Sequence, residues 1–328
     1  MAGVQRAGVA NRARTFDATP QTSRQIGGRN AMPHIRTDDG VQLYYEEAGS
    51  GDPILFVHEF GGHYLSWEPQ LRHFSRRYRC ITYAARGWPP SDIPDAVAAY
   101  SQARAADDAG AVLRGLQIDK AHIVGLSMGA TAAVEFGIRH PAMAVSLTAA
   151  ACGSGASTDA EAKRRFYRDC MAFADRIERE GMPAMAELYC AGSARVQYRD
   201  KDPRGWAEFK RQFAEGSPRG HALTMRGVQA PRVPLFERQA ELNAIDAPVL
   251  VIAGDEDDST LDLAVFLKRN IPRCGLLMLP RTGHTINLEE PTAFNAALES
   301  FLHDVECGRW QRQPGLEGQR YFLVPKEK

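Results

Sequence analysis

The sequence predicts an α/β fold: a mostly parallel, doubly wound, eight-stranded sheet with an inserted helical cap. Three observations carry the prediction. From Met32 onward, short β-type runs alternate with helix-type runs, the pattern of a parallel sheet covered by helices. The stretches ILFVH, AHIVGLS and APVLVIAGDED are continuous apolar runs ending in small or polar residues, as expected of strands buried on both faces. Between Gly155 and about Ala247 the alternation stops, and a helical pattern punctuated by EGMP, KDPRG and GSPRG replaces it.

In chain order, strands are expected near 33–37, 41–47, 54–58, 80–84, 121–126, 145–151, 248–254 and 274–280. Ser101 can cap a helix running to about Leu116, and Pro141 stops the helix that follows Ser127. Phe294, Ala297, Leu298, Phe301 and Leu302 fall on one face of a final helix with Pro291 in its first turn. The organisation that follows is a core over 32–154 and 248–305, a cap over 155–247 and a tail over 306–328 in which Trp310, Tyr321, Phe322 and Leu323 are docking candidates. Residues 1–31 carry five arginines and one aspartate among small and polar residues, a composition expected to stay disordered, with Met32 opening the folded part.

Bulk composition excludes several classes of function. Lys plus Arg and Asp plus Glu both total 40, so nothing favours nucleic acid or an anionic membrane as a partner. The cap, with sixteen basic and fourteen acidic residues, reads as a solvated surface over an apolar underside. No apolar run reaches membrane-spanning length, and no signal core follows the N-terminus. The six cysteines lie far apart without metal-like spacing and read as reduced thiols of a cytoplasmic protein.

The most informative motif is Gly125-Leu126-Ser127-Met128-Gly129, a G-x-S-x-G sequence after a predicted strand and before a predicted helix. In that setting the serine sits on a strained turn, and Gly125 and Gly129 leave room for neighbouring backbone. The helix beginning there aims its N-terminal N–H groups at the reacting carbon. A serine hydroxyl needs a base. Of the nine histidines only His284, in LPRTGHTINLEEP, lies in a loop directly after a predicted strand and before the final helix. An imidazolium needs an acid to orient it, and Asp255, Glu256, Asp257 and Asp258 follow the strand of VLVIAGDEDD.

With the HEFGG turn, the ARGWPPSD loop, GLSMG, and the AGDEDD and GHTINLEEP pair in this order, the chain from about Met32 to Asp304 resembles the α/β-hydrolase superfamily, in its esterase-like branch with a helical cap. The resemblance implies a serine hydrolase acting on a small or medium carboxylic ester or lactone through an acyl-enzyme, without metal or organic cofactor. It places the acid on Asp257, the base on His284, and the oxyanion donors on the backbone N–H groups of Phe60 and Met128. It leaves as alternatives cofactor-free haloperoxidases or perhydrolases, carbon–carbon bond hydrolases, and a receptor-like binding protein with slow turnover.

One residue departs from the pattern. Relatives usually have His-Gly where this chain has His58-Glu59, and a carboxylate aimed at a developing oxyanion would repel it. Glu59 is therefore expected either to turn aside onto a donor, with Arg86 as candidate, or to position a water, amine or hydroxyl of the substrate.

Overall fold

The apolar runs form strands within a residue or so of their expected limits. In the computed structural model, which describes residues 33–153 and 158–311, these are β1 (His34–Arg36), β2 (Gln42–Ala48), β3 (Pro53–Val57), β4 (Arg79–Tyr83), β5 (Ala121–Leu126), β6 (Ala144–Ala150), β7 (Val249–Gly254) and β8 (Cys274–Leu279). The expected disorder over 1–31 and the docking candidates Tyr321, Phe322 and Leu323 lie outside the described residues. The strands form one sheet in the order β1-β2-β4-β3-β5-β6-β7-β8. β2 is antiparallel to both neighbours, and all pairs from β4 to β8 are parallel. Val57 pairs with Gly125 and Leu126 with Ala150, so the C-terminal ends of β3, β5 and β6 finish side by side.

Helix α1 (Glu68–Phe74) follows β3, α2 (Gln102–Gly115) follows β4 and α3 (Met128–Arg139) follows β5. Between β6 and β7 come α4 (Ala160–Cys190), α5 (Val196–Lys201), α6 (Pro203–Ala214), α7 (Pro218–Thr224) and α8 (Gln239–Asn243). α9 (Asp258–Asn270) joins β7 to β8, and α10 (Ile286–Glu289) and α11 (Pro291–Glu306) complete the described chain. Local chemistry sets several ends. The Ser101 hydroxyl accepts from the Arg104 N–H at 3.0 Å, capping α2. α4 breaks at Gly181, whose φ of 79° no helix contains, with Pro183 just beyond.

Strand alternation builds two cores. Leu55, Val57, Ile123 and Val251 face one side, where Val112, Phe136 and Leu263 of α2, α3 and α9 cover them. Ile54, Phe56, Val124 and Ile252 face the other, against Phe74 of α1 and Phe294, Leu298, Phe301 and Leu302 of α11. Each such side chain stabilises the fold by about 1.5–3 kcal/mol on burial. A third apolar cluster joins the inserted helices to the sheet's C-terminal edge, with Met185, Phe209 and Phe213 packed near Phe60, Trp88 and Met128. Past α11, Trp310 docks on the core: its indole N–H donates to the Arg273 carbonyl at 2.8 Å and its ring meets Phe301 edge-on. All six cysteines are free, and only Cys307 is exposed. Among the described residues no helix is long and apolar enough to cross a membrane.

Three histidines are enclosed by this packing: His58, His122 and His221, each 1–2% exposed. Burial disfavours the imidazolium and lowers the pKa of each from 6.5 to about 4. The unfolded chain takes up these protons near pH 6.5 and the folded chain only near 4. The associated stability is thus full above pH 6.5 and is lost as pH falls towards 4, at up to about 3 kcal/mol per histidine. Urea midpoints should fall steeply between pH 6.5 and 4.5, and a flat profile across that window would contradict the neutral assignment.

Candidate active site

The chain turns sharply between β5 and α3. Ser127 sits at the turn with φ 54° and ψ −110°, a conformation costly for a residue with a side chain. Its neighbours permit this only by being small. A Cβ on Gly125 would lie 2.1 Å from the Gly129 carbonyl oxygen, and one on Gly129 would lie 2.1 Å from the Val57 carbonyl oxygen. The Ser127 N–H donates to the Ala150 carbonyl at 2.8 Å, fixing the turn to the end of β6. These constraints lift the hydroxyl above the sheet edge.

The loop after β8 brings His284 to it. His284 Nε2 lies 2.8 Å from Ser127 Oγ, and Nδ1 lies 2.6 Å from Asp257 Oδ2, giving a continuous hydrogen-bonded chain of three side chains. Among the four acids after β7, Asp257 alone is buried, at 0% exposure, whereas Asp255, Glu256 and Asp258 face solvent. Burial by itself would raise the Asp257 pKa. The hydrogen bonds from His284, Ser259 and Thr260 outweigh it, and the carboxyl is held below its usual range. With Asp257 ionised and accepting, His284 carries its proton on Nδ1 and offers Nε2 to the serine. Among the described residues no group of three His, Cys, Asp or Glu side chains is arranged to hold a metal ion.

Phe60 lies at the end of β3's extension and Met128 opens α3; among the described residues neither N–H donates a hydrogen bond. The turn before them is stiff. His58 Nδ1–H donates to the Glu59 carbonyl at 2.7 Å, and Nε2 accepts from the Ala85 N–H at 3.0 Å. The Phe60 ring packs among Trp88, Tyr189, Phe213 and His221, so an apolar wall from the inserted helices stands over the turn.

Glu59 is 1% exposed, and its partner is not Arg86. The Arg86 fork is filled by Asp108 at 2.6 Å and Asp39 at 2.9 Å, with the Ala99 carbonyl as a further acceptor. Two carboxylates already saturate that guanidinium, which removes it as a donor for Glu59. The partner is Arg195, on the segment between α4 and α5, whose two terminal nitrogens reach the carboxylate oxygens at 2.6 and 3.3 Å. Arg195 also donates to Thr285 Oγ1 at 2.7 Å and to Tyr189 Oη at 2.6 Å. Next to it, the Ala194 carbonyl accepts the His284 N–H at 2.7 Å. Glu289, also buried, takes the Gly283 N–H at 3.0 Å and Lys201 at 2.8 Å. Arg195, Thr285 and Glu289 were not legible as site residues from the sequence; the one available signal was that a buried Glu59 demands a cation.

Breaking this buried pair leaves a stranded charge, which costs about 3–5 kcal/mol. Arg195→Met should therefore destabilise the chain by that amount in urea denaturation, and adding Glu59→Gln should recover part of the loss. A double variant no more stable than Arg195→Met would show that the carboxylate is not the stranded group.

An N-acyl homoserine lactone degrading enzyme of known structure is 31% identical, with a TM-score of 0.66, covering 82% of this chain and 100% of its own. A thermophilic esterase from Thermogutta terrifontis is 26% identical, with a TM-score of 0.73 and coverages of 83% and 98%. The 3-oxoadipate enol-lactonase 2 of Acinetobacter baylyi is 28% identical over 273 residues, 81% of this chain and 95% of that protein. The model of the alpha/beta hydrolase family matches residues 54–297, from β3 into α11, and the chain belongs to that family.

Proposed function

We propose that the chain hydrolyses small or medium carboxylic esters or lactones through an acyl-enzyme on Ser127. The observation that carries this reading is the unbroken relay from Ser127 Oγ through His284 to the buried Asp257. The relatives named for lactone and ester chemistry support it.

In this mechanism Ser127 Oγ attacks the carbonyl carbon while its proton passes to His284 Nε2. Asp257 holds the imidazole by Nδ1 and balances the imidazolium. The carbonyl oxygen becomes an anion received by the N–H groups of Phe60 and Met128, and each such donor in a dry site lowers the barrier by about 3 kcal/mol. His284 returns the proton to the leaving alkoxide, releasing the alcohol. For a lactone, the alcohol stays attached to the acyl group. A water molecule then gives a proton to His284 and attacks the acyl carbon; collapse releases the carboxylic acid and restores Ser127. The inserted helices act as a cap: Tyr189 and Phe213, packed on Phe60, keep water away from the developing charge.

A fluorophosphonate should label the chain stoichiometrically at Ser127, and the label should be lost in His284→Ala. Asp257→Asn should keep the fold and lower kcat on an aryl ester by on the order of 10⁴-fold. Labelling at another residue, or a full rate in Asp257→Asn across a panel of aryl esters, lactones and amides, would refute the assignment.

A further inference from the structure

Among the described residues, the buried arginines are matched by carboxylates. Arg86 has Asp108 and Asp39, Arg195 has Glu59, and the part-buried Arg238 has Glu135 and Glu241. Arg232, a part-buried residue, is different. Among the described residues its side chain makes one hydrogen bond, from Nη1 to Thr131 Oγ1 at 3.2 Å, and no carboxylate lies within ion-pair distance. Its Nε–H is buried with no acceptor among the described residues. Burial lowers its pKa, and the acidic groups that act on it are the thiols of Cys152 and Cys170, which burial pushes up to about 11 and so keeps neutral.

Arg232 lines a cleft of about 530 Å³ between the start of α2, α3 and the segment that returns from the inserted helices to β7. Gln102 lines the same cleft, and both its amide oxygen and its amide nitrogen are buried without partners among the described residues. The three carboxylates of the cleft are already engaged, Glu135 and Glu241 by Arg238 and Glu237 by Lys163. Thr131, which accepts from Arg232, stands one turn beyond Ser127 and donates to the Ser127 carbonyl at 3.3 Å. The guanidinium is thus linked through Thr131 to the backbone carbonyl of Ser127, and its cleft shares Ser101 and Val228 with a small pocket that His58 and Met128 line.

We propose that Arg232, assisted by Gln102, binds a carboxylate carried by the substrate, which makes anionic esters or lactones the preferred class; this rests on the hydrolase reading above. A guanidinium fork with free N–H groups matches a carboxylate, and a part-buried cation without an anion gains from acquiring one.

Two measurements test this separately from turnover and with it. Calorimetric titration of glutarate into the full chain at low salt should show saturable binding, weakened about 10- to 100-fold in Arg232→Gln and less in Arg232→Lys. No saturable binding to the wild type, or equal binding to Arg232→Gln, overturns the proposal. Glutarate binding by a chain that hydrolyses no ester supports the carboxylate site and refutes the hydrolase reading alone. With turnover, the ratio of kcat/KM for a 4-nitrophenyl hemiglutarate over a neutral 4-nitrophenyl ester of equal length should fall about 10- to 100-fold in Arg232→Gln. An unchanged ratio overturns the proposal. Should Arg232→Gln fail to fold, the wild-type titration and Arg232→Lys decide the matter.

Discussion

The ion pair between Glu59 and Arg195 is the constraint on which the site's geometry depends. Three segments far apart in the chain meet at one guanidinium: the turn after β3 through Glu59, the inserted helices through Arg195 and Tyr189, and the histidine loop through Thr285. The adjacent Ala194 carbonyl holds His284 by its backbone N–H. A planar, five-donor fork suits this junction, because it binds a carboxylate with two nitrogens and still reaches other acceptors. Lysine, a point charge with rotating donors, would not fix the same angles. The pair is buried at both ends, so its desolvation has to be offset by this full set of hydrogen bonds.

The other half of the geometry is steric. Gly125 and Gly129 let β3, β5 and α3 approach so closely that any side chain at either position would meet backbone carbonyl oxygens. That approach holds Ser127 in its unfavourable backbone conformation, and the parallel pairing of β3, β5 and β6 supplies the rigid frame. Strain at one residue is tolerated where the surrounding core over-determines it. The serine is therefore positioned by packing and the histidine by polar contacts, and the two systems meet at the 2.8 Å hydrogen bond between them.

Those two kinds of constraint differ in how far they can be read from a sequence. Strands β3, β5 and β7 were legible because burial on both faces writes itself as uninterrupted apolar runs, and Ser127 because a glycine-flanked serine between strand and helix is a local pattern. His284 followed from its place between strand and helix. Asp257 could not be separated from three neighbouring acids by local pattern; family resemblance singled it out, and burial distinguishes it in the structure. Arg195 lies 136 positions from Glu59 in an irregular segment with no periodicity, so no local signal joined them. Arg86 was the nearer-seeming donor because its loop adjoins the turn, and only the structure reveals that Asp39 and Asp108 already occupy it.

The same electrostatics explains how a carboxylate can sit one residue from a proposed oxyanion donor. An unpaired charge at a separation on the order of 6 Å, in an effective dielectric of about 20, would oppose the oxyanion by roughly 3 kcal/mol. That is comparable with what one backbone donor contributes. Pairing Glu59 with Arg195 replaces the net charge by a short dipole, whose field falls off faster with distance. It also places a positive group of the inserted helices beside the turn. Glu59 thus departs from the family's usual glycine without opposing the chemistry, provided that its cation stays in place. The departure ties the inserted helices to the proposed catalytic loops, because displacing Arg195 would simultaneously loosen the histidine loop and expose the proposed oxyanion to an uncompensated carboxylate.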